Sequence, residues 1–278
     1  MWVTDRDEDH VRDTARPGHG ASPDSERSAD AALDLDSRTV AELFDRNATT
    51  YDWVNTLITF GRDARWRRWA AAQAVAIVSQ ASMSPASMLP PPSLRALDAC
   101  AGTGLLALEL ARRGATVTAV DAAPRMLAVV RDRLGAAGLA LRTVVADLSD
   151  EATPARLGGP FDVVTLAFGL RYFADASAPL RLLRKLLVPG GLLVVVEAVC
   201  PPQDPLGAVA GLYFFRVVPR LGTTLAGRAD LYDALAASTR ALGSADQLAA
   251  HLRSAGFSLA ARQRFACGLV VGLVAAPV

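Results

Sequence analysis

The chain has 278 residues, 51% hydrophobic and 21% charged, with 29 Lys and Arg against 28 Asp and Glu and a net charge of +1. That length suits one or two domains with a sizeable core, and the near-neutral balance excludes the dense Lys/Arg surface of a nucleic-acid binder. Three histidines and three widely spaced cysteines with no metal-type pairing exclude a His- or Cys-rich metal centre.

Residues 1–38 carry ten acidic and five basic residues and are interrupted by Pro17, Gly18, Gly20 and Pro23. Such a segment buries too little apolar surface to order itself, so a disordered polar tail is expected. Its start has neither the basic nor the apolar region of a signal peptide, and no apolar run approaches the ~20 residues that span a bilayer. A cytoplasmic protein is the expectation. Residues 39–93 read as a helical lid and linker. Helical spacing begins at Thr39 (Val40, Leu43, Phe44) and returns over 62–80, before the Pro-rich linker 82–93.

From residue 94 the pattern alternates: strand 94–99, helix 105–113 closed by Gly114, strand 116–120, helix 124–134 closed by Gly135, and strand 141–145. Strand 161–167, helix 178–187 and strand 192–198, entered through Pro189-Gly190-Gly191, follow. Strands alternating with helices that end in glycine mean crossover units and a parallel sheet. A strongly apolar helical stretch, 205–242, forms a cap within an insertion over 203–242, and a helix spans 245–254. Strands 257–265 and 269–275, joined at Cys267-Gly268, form an antiparallel hairpin. The fold class is therefore α/β, doubly wound, with a mostly parallel seven-stranded sheet in a core domain over 94–278. Cys100, Cys200 and Cys267 are expected as small buried residues in strands. His251 is expected on a solvated helix face.

The sharpest local signal is Leu97-Asp98-Ala99-Cys100-Ala101-Gly102-Thr103-Gly104, at the first strand-to-helix turn. Gly102 and Gly104 let the backbone turn tightly and approach a ligand. Gly102-Thr103-Gly104-Leu105-Leu106-Ala107 also satisfies the looser dinucleotide fingerprint. Asp98 argues against that reading, because a carboxylate beside the loop repels a pyrophosphate and attracts a cationic sulfonium amino acid. Asp121, with Ala122 beside it, ends the second strand; it suits a ribose diol and equally an N-cap for the helix at Pro124. Asp147 ends the third strand beside Leu148, facing either an adenine amino group or solvent. Acids at three neighbouring strand ends point to one nucleoside in the crevice where open α/β sheets bind ligands, with S-adenosylmethionine the expected cofactor.

With these motifs on the page, the chain resembles the ubiquinone/menaquinone C-methyltransferase family (UbiE/MenG-like) from about Leu43 to Val274. The resemblance is carried by the segment from Phe44 to Asn55 with Phe60-Gly61 and Trp66, by Asp98–Gly104, by Val120–Leu127 and by Phe161–Arg171. Tyr213-Phe214-Phe215, Pro219, Leu221-Gly222, Ala229-Asp230 and Ser238 extend it into the cap. It implies methyl transfer to a ring carbon of a prenylated quinol. It also implies that Thr103 and Asp121 contact the cofactor's amino-acid end and ribose, Asp147 and Leu148 its adenine, and Tyr51 and Arg171 the acceptor. Tyr172 stands where the family usually has Asn, Tyr232 is followed by Ala234 where a second Tyr is usual, and the linker is longer.

These departures motivate an alternative, a specialised-metabolite methyltransferase or cyclase on the same scaffold. A non-catalytic cofactor-binding module is a further one. Arg171 suits electrostatic stabilisation of a phenolate, being a poor base; Tyr172 either donates to the same oxygen or walls the pocket. The apolar run 206–225 is either core or a groove for a hydrophobic aromatic acceptor. Arg62, Arg65, Arg67 and Arg68 form a solvated face or a peripheral membrane contact. Self-association into a homodimer is left open.

Overall fold

The structure is a computed structural model that describes residues 37–81, 93–139, 141–226 and 229–278. The expected tail and most of the linker lie outside the described residues. Among the described residues three helices, α1 (Ser37–Asn47), α2 (Tyr51–Ile58) and α3 (Asp63–Ala81), precede the sheet. Then β1 (Arg95–Ala99), α4 (Leu105–Ala111), β2 (Thr116–Asp121), α5 (Pro124–Ala137), β3 (Arg142–Val145), α6 (Thr153–Leu157) and β4 (Phe161–Ala167) alternate. After them come α7 (Ser177–Lys185), β5 (Leu187–Ala198) and the cap helices α8 (Pro205–Leu212), α9 (Val218–Ala226) and α10 (Ala229–Leu242). Helix α11 (Ala245–Ser254) and strands β6 (Phe257–Phe265) and β7 (Val270–Pro277) complete the chain.

The seven strands run in the order β3-β2-β1-β4-β5-β7-β6, parallel except where β7 pairs antiparallel with β5 and with β6. Alternate residues feed two cores, as strand pleating requires. Ala96, Val194, Val196 and Val274 face one side, packed with Trp66, Ala70 and Leu110. Leu97, Val195, Leu193 and Leu273 face the other, packed with Leu180, Leu183, Leu248 and Leu252. Strand order reverses between β1 and β4, which places the open crevice at their carboxyl ends.

Several local expectations are corrected. Helix α5 does not close at Gly135; it continues to Ala137 and ends at Gly138, whose φ of 63° is the left-handed turn. Two alanines follow Gly135, and their high helix propensity carries the helix one residue pair further. The apolar stretch 205–242 is helical, as expected, and is built from successive helices. A π-helical turn, Tyr213–Val217, separates α8 from α9, and Gly222 of α9 packs against the Tyr232 ring of α10. The cysteines do not sit in strands. Cys100 and Cys200 are half-buried just beyond β1 and β5, and Cys267 is exposed in the turn between β6 and β7. All three fall where the chain leaves the sheet to turn. Helices α2 and α6 were absent from the sequence pattern. Among the described residues no helix is long and apolar enough to cross a membrane.

Candidate active site

A cavity of about 440 Å³ opens at the carboxyl ends of β1, β2 and β4, roofed by α1 to α3 and by the cap. Asp98, Gly102, Thr103, Asp121, Ala122, Asp147 and Leu148 border it, and so do Tyr51, Phe168, Arg171, Tyr172 and Phe214. Gly104 forms the floor of the turn without bordering the cavity. Its φ is 76°, and a Cβ there would meet Val130 at 2.7 Å. Five described non-glycine residues have left-handed φ (Phe60, Cys100, Phe168, Ala266 and Cys267), and all five border this cavity. Backbone strain of that kind concentrates at ligand sites, where the surrounding fold holds it.

Asp98 is 1% exposed. The Thr165 hydroxyl donates to its Oδ1 at 2.7 Å, while Oδ2 is buried without a hydrogen-bond partner. Burial pushes its carboxyl up to about 7, against the opposing Thr165 hydrogen bond. Asp121 does not cap α5; Ala123 is the N-cap residue. Instead its carboxylate accepts from the backbone N–H of Gly102 at 2.7 Å and of Ala123 at 2.9 Å. Burial raises its pKa, and those two amides work against the rise. Asp147 accepts from the N–H and hydroxyl of Ser149 at 2.8 and 2.6 Å. Partial burial pushes its pKa up, but the Ser149 and Ser37 hydroxyls outweigh it and leave the carboxyl below its usual value.

These residues fit a sulfonium nucleoside. The orphaned Asp98 oxygen is a buried acceptor lacking a cationic donor, the arrangement that a charge-assisted bond to an ammonium resolves. Each Asp121 oxygen has one protein donor and keeps a second lone-pair site for a diol. Gly102 borders the cavity with φ of 54°, and a Cβ there would meet nothing within 4 Å, so open space is left beside its backbone.

Thr103 is 3% exposed, and its hydroxyl donates to Asp52 of α2 at 2.7 Å. Arg133 also binds Asp52 through Nη2 and donates through Nη1 to the Thr103 carbonyl at 3.0 Å. A lid acid is thereby clasped to the glycine turn. Tyr51 packs edge-on against Phe44, and burial raises its pKa. Phe44 in turn packs edge-on against Tyr172 at 5.1 Å between centroids.

Arg171 lies in a short 3-10 turn, Leu170–Tyr172, and is buried rather than at the surface. Its Nη1 donates to Glu197 at the end of β5, and side-chain exposures in this ion pair are 2% and 0%. Its Nη2 lies 3.4 Å from the Tyr172 hydroxyl, and its Nε is buried without a partner. Burial pulls the guanidinium pKa down, but Tyr172 and Glu197 outweigh it and hold the group charged. Arg171 and Tyr172 also border a second cavity of about 120 Å³, together with Ser238 and His251. His251 is half-buried, with Nδ1 3.3 Å from the Ser177 hydroxyl.

Sequence reasoning missed Glu197, Asp52 and Arg133. A signal existed for Glu197: one acid at the end of an otherwise apolar strand must be paired, because buried carboxylates are rare alone. Asp52 and Arg133, 81 positions apart, had none.

Residues 32–276 match the ubiE/COQ5 methyltransferase family. The chain is 40% identical over 219 residues to a demethylmenaquinone methyltransferase from Thermus thermophilus, a match covering 78% of this chain and 92% of the relative. It is 36% identical over 248 residues to one from Mycolicibacterium vanbaalenii, covering 88% and 97%. Among solved structures, magnesium protoporphyrin IX methyltransferase from Synechocystis with bound SAH superposes with a TM-score of 0.56 at 20% identity, covering 87% of this chain and all of that one. The cyclase SpnF superposes with a TM-score of 0.57 at 17% identity, covering 87% and 96%. At those identities the likeness is one of fold.

Proposed function

The chain belongs to the ubiE/COQ5 methyltransferase family and is an S-adenosylmethionine-dependent methyltransferase, and from that we propose that it methylates a ring carbon of a demethylmenaquinol-like hydroquinone. The observation that carries the acceptor reading is what one cavity brings together: the carboxylates of Asp98, Asp121 and Asp147 with Gly102, the rings of Tyr51, Phe168, Tyr172 and Phe214, and the buried, charged Arg171.

In this reading Asp98 Oδ2 holds the cofactor's ammonium, Asp121 its ribose hydroxyls, and Asp147 with the Leu148 backbone its adenine. Thr103 acts through the clasp with Asp52, which keeps the lid over the glycine turn. The cofactor supplies an electrophilic methyl group when bound. Arg171 and Tyr51 both keep their protons, since the first is held charged and burial raises the pKa of the second. They therefore serve as donors to the acceptor's oxygen. Donation there stabilises the phenolate left when the acceptor's hydroxyl gives its proton to solvent. Its negative charge activates the neighbouring ring carbon, which takes the methyl as the S–CH₃ bond breaks and then loses its own hydrogen to solvent as a proton. The aromatic walls, including Tyr172, orient the ring, and holding the reactants in line supplies roughly 7–11 kcal/mol of the barrier.

The cavity's exposed rim supports a lipid-facing entrance. Phe60, Leu206 and Val209 border the cavity yet are 72%, 68% and 66% exposed, and Arg62 beside them is exposed as well. Apolar side chains flanked by arginine suit an anionic bilayer surface and the entry of a prenyl tail.

Incubation with methyl-labelled cofactor and a short-tailed demethylmenaquinol tests the proposal. Label in the ring product supports it. No transfer, where the Thermus relative succeeds, overturns the acceptor and returns the cyclase and specialised-metabolite readings to the front.

A further inference from the structure

We infer that Glu197 is a positioning residue for Arg171, selecting which edge of the guanidinium meets the acceptor. The inference rests on the reading that Arg171 binds the acceptor's oxygen.

Three donors converge on the Glu197 carboxylate, which is fully buried. The backbone N–H of Ala198 donates to Oε1 and that of Leu170 to Oε2, each at 2.9 Å, and Arg171 Nη1 donates to Oε1. One acid thus pins both the turn that carries Arg171 and the head of its side chain. A guanidinium offers two-pronged grips, and a ligand on Nη1 leaves the edge formed by Nε and Nη2. Here Nε has no partner, and Nη2 has only the long 3.4 Å approach to the Tyr172 hydroxyl. That edge matches an oxygen on a flat ring: two parallel N–H donors with a tyrosine hydroxyl beside them. Without Glu197 the head is free to rotate, and a buried cation loses its only described ionic partner. The ligand class that follows is a phenol or enol whose oxygen neighbours the methylated carbon.

The test uses Glu197→Gln, Glu197→Asp, Arg171→Gln and the double variant Glu197→Gln/Arg171→Gln in the full chain. Glutamine removes the negative charge that faces Arg171. With its oxygen in the Oε1 place shared by Arg171 and Ala198, its NH₂ group meets the Leu170 N–H, donor against donor, and loosens the turn that carries Arg171. Glu197→Gln is expected to lower kcat about 10–100-fold, with the S-adenosylmethionine Kd unchanged within about twofold. Glu197→Asp restores part of the rate. In the Arg171→Gln background, Glu197→Gln costs less than about twofold more, because its action runs through Arg171. Unchanged kcat, full multiplication of the two losses, or an equal weakening of cofactor affinity each overturns the inference.

Calorimetry with 2-hydroxy-1,4-naphthoquinone, an anionic flat probe, separates this from the acceptor proposal. If the wild-type chain transfers no methyl yet binds the probe about tenfold more tightly than Glu197→Gln does, the acceptor reading falls and the positioning role stands. Equal binding by both, or no binding by the wild type, overturns the positioning role, while methyl transfer alone decides the acceptor.

Discussion

The Thr103 hydroxyl donates to the Asp52 carboxylate at 2.7 Å, joining the lid to the glycine turn across 51 residues of chain. Arg133 closes the arrangement by binding both partners. Asp52 and Thr103 both border the cavity, so groups that line the proposed cofactor site also hold its cover in place.

Replacing Asp52 by alanine removes two hydrogen bonds between lid and core and leaves Arg133 with only the Thr103 carbonyl. The expected result is cofactor dissociation faster by about 10-fold, from roughly 1–2 kcal/mol of lost lid closure. Stopped-flow release of labelled cofactor measures it. A dissociation rate equal to the wild type's rules out the clasp as a cover.

Asp98 gives the site a pH dependence. Its folded pKa of about 7 lies above the ordinary carboxylate value near 4, so the folded chain retains a proton that the unfolded chain gives up. The stability cost of its charge is thus absent below about pH 4, grows toward pH 7, and is complete above it. A bound ammonium favours the charged carboxylate. Cofactor binding at about pH 6 should therefore release close to one proton, and affinity should rise with pH up to about 7. Calorimetry in buffers of different ionisation enthalpy reads this directly. Asp98→Asn should abolish the release and weaken binding; persistent release in that variant assigns the proton elsewhere.

Asp121→Ala should weaken cofactor binding about 10–100-fold, through lost charge-assisted hydrogen bonds. Because Asp121 also holds the Gly102 amide, Asp121→Asn should recover only part of the loss. Unchanged affinity in both variants would remove Asp121 from the cofactor site.

Gly104→Ala should lower the melting temperature measurably. The residue sits at φ of 76°, and the new Cβ would fall 2.7 Å from Val130 Cγ2. Left-handed strain and the forced shift of a buried valine together cost about 1–3 kcal/mol. Thermal unfolding at unchanged temperature would show that the turn relaxes freely.

The sheet, its hairpin and the three acidic strand ends were legible in the chain because each depends on short-range pattern: pleated alternation, glycine turns, and a carboxylate where a strand stops. Helix ends were less so. Gly135 carries the residue type of a terminator, yet the dihedral that closes α5 belongs to Gly138. The cap was legible as helical, but hydropathy alone does not register the π-helical turn at Tyr213–Val217 that divides it. Folding alone assigned the working partners. Asp121 supports the glycine turn rather than capping a helix, Thr103 answers to a lid acid, and Arg171 is buried against Glu197, 26 positions away. Local backbone preferences are written into neighbouring residues, whereas the pairing of a buried charge is settled by whichever groups the packed sheet brings within reach.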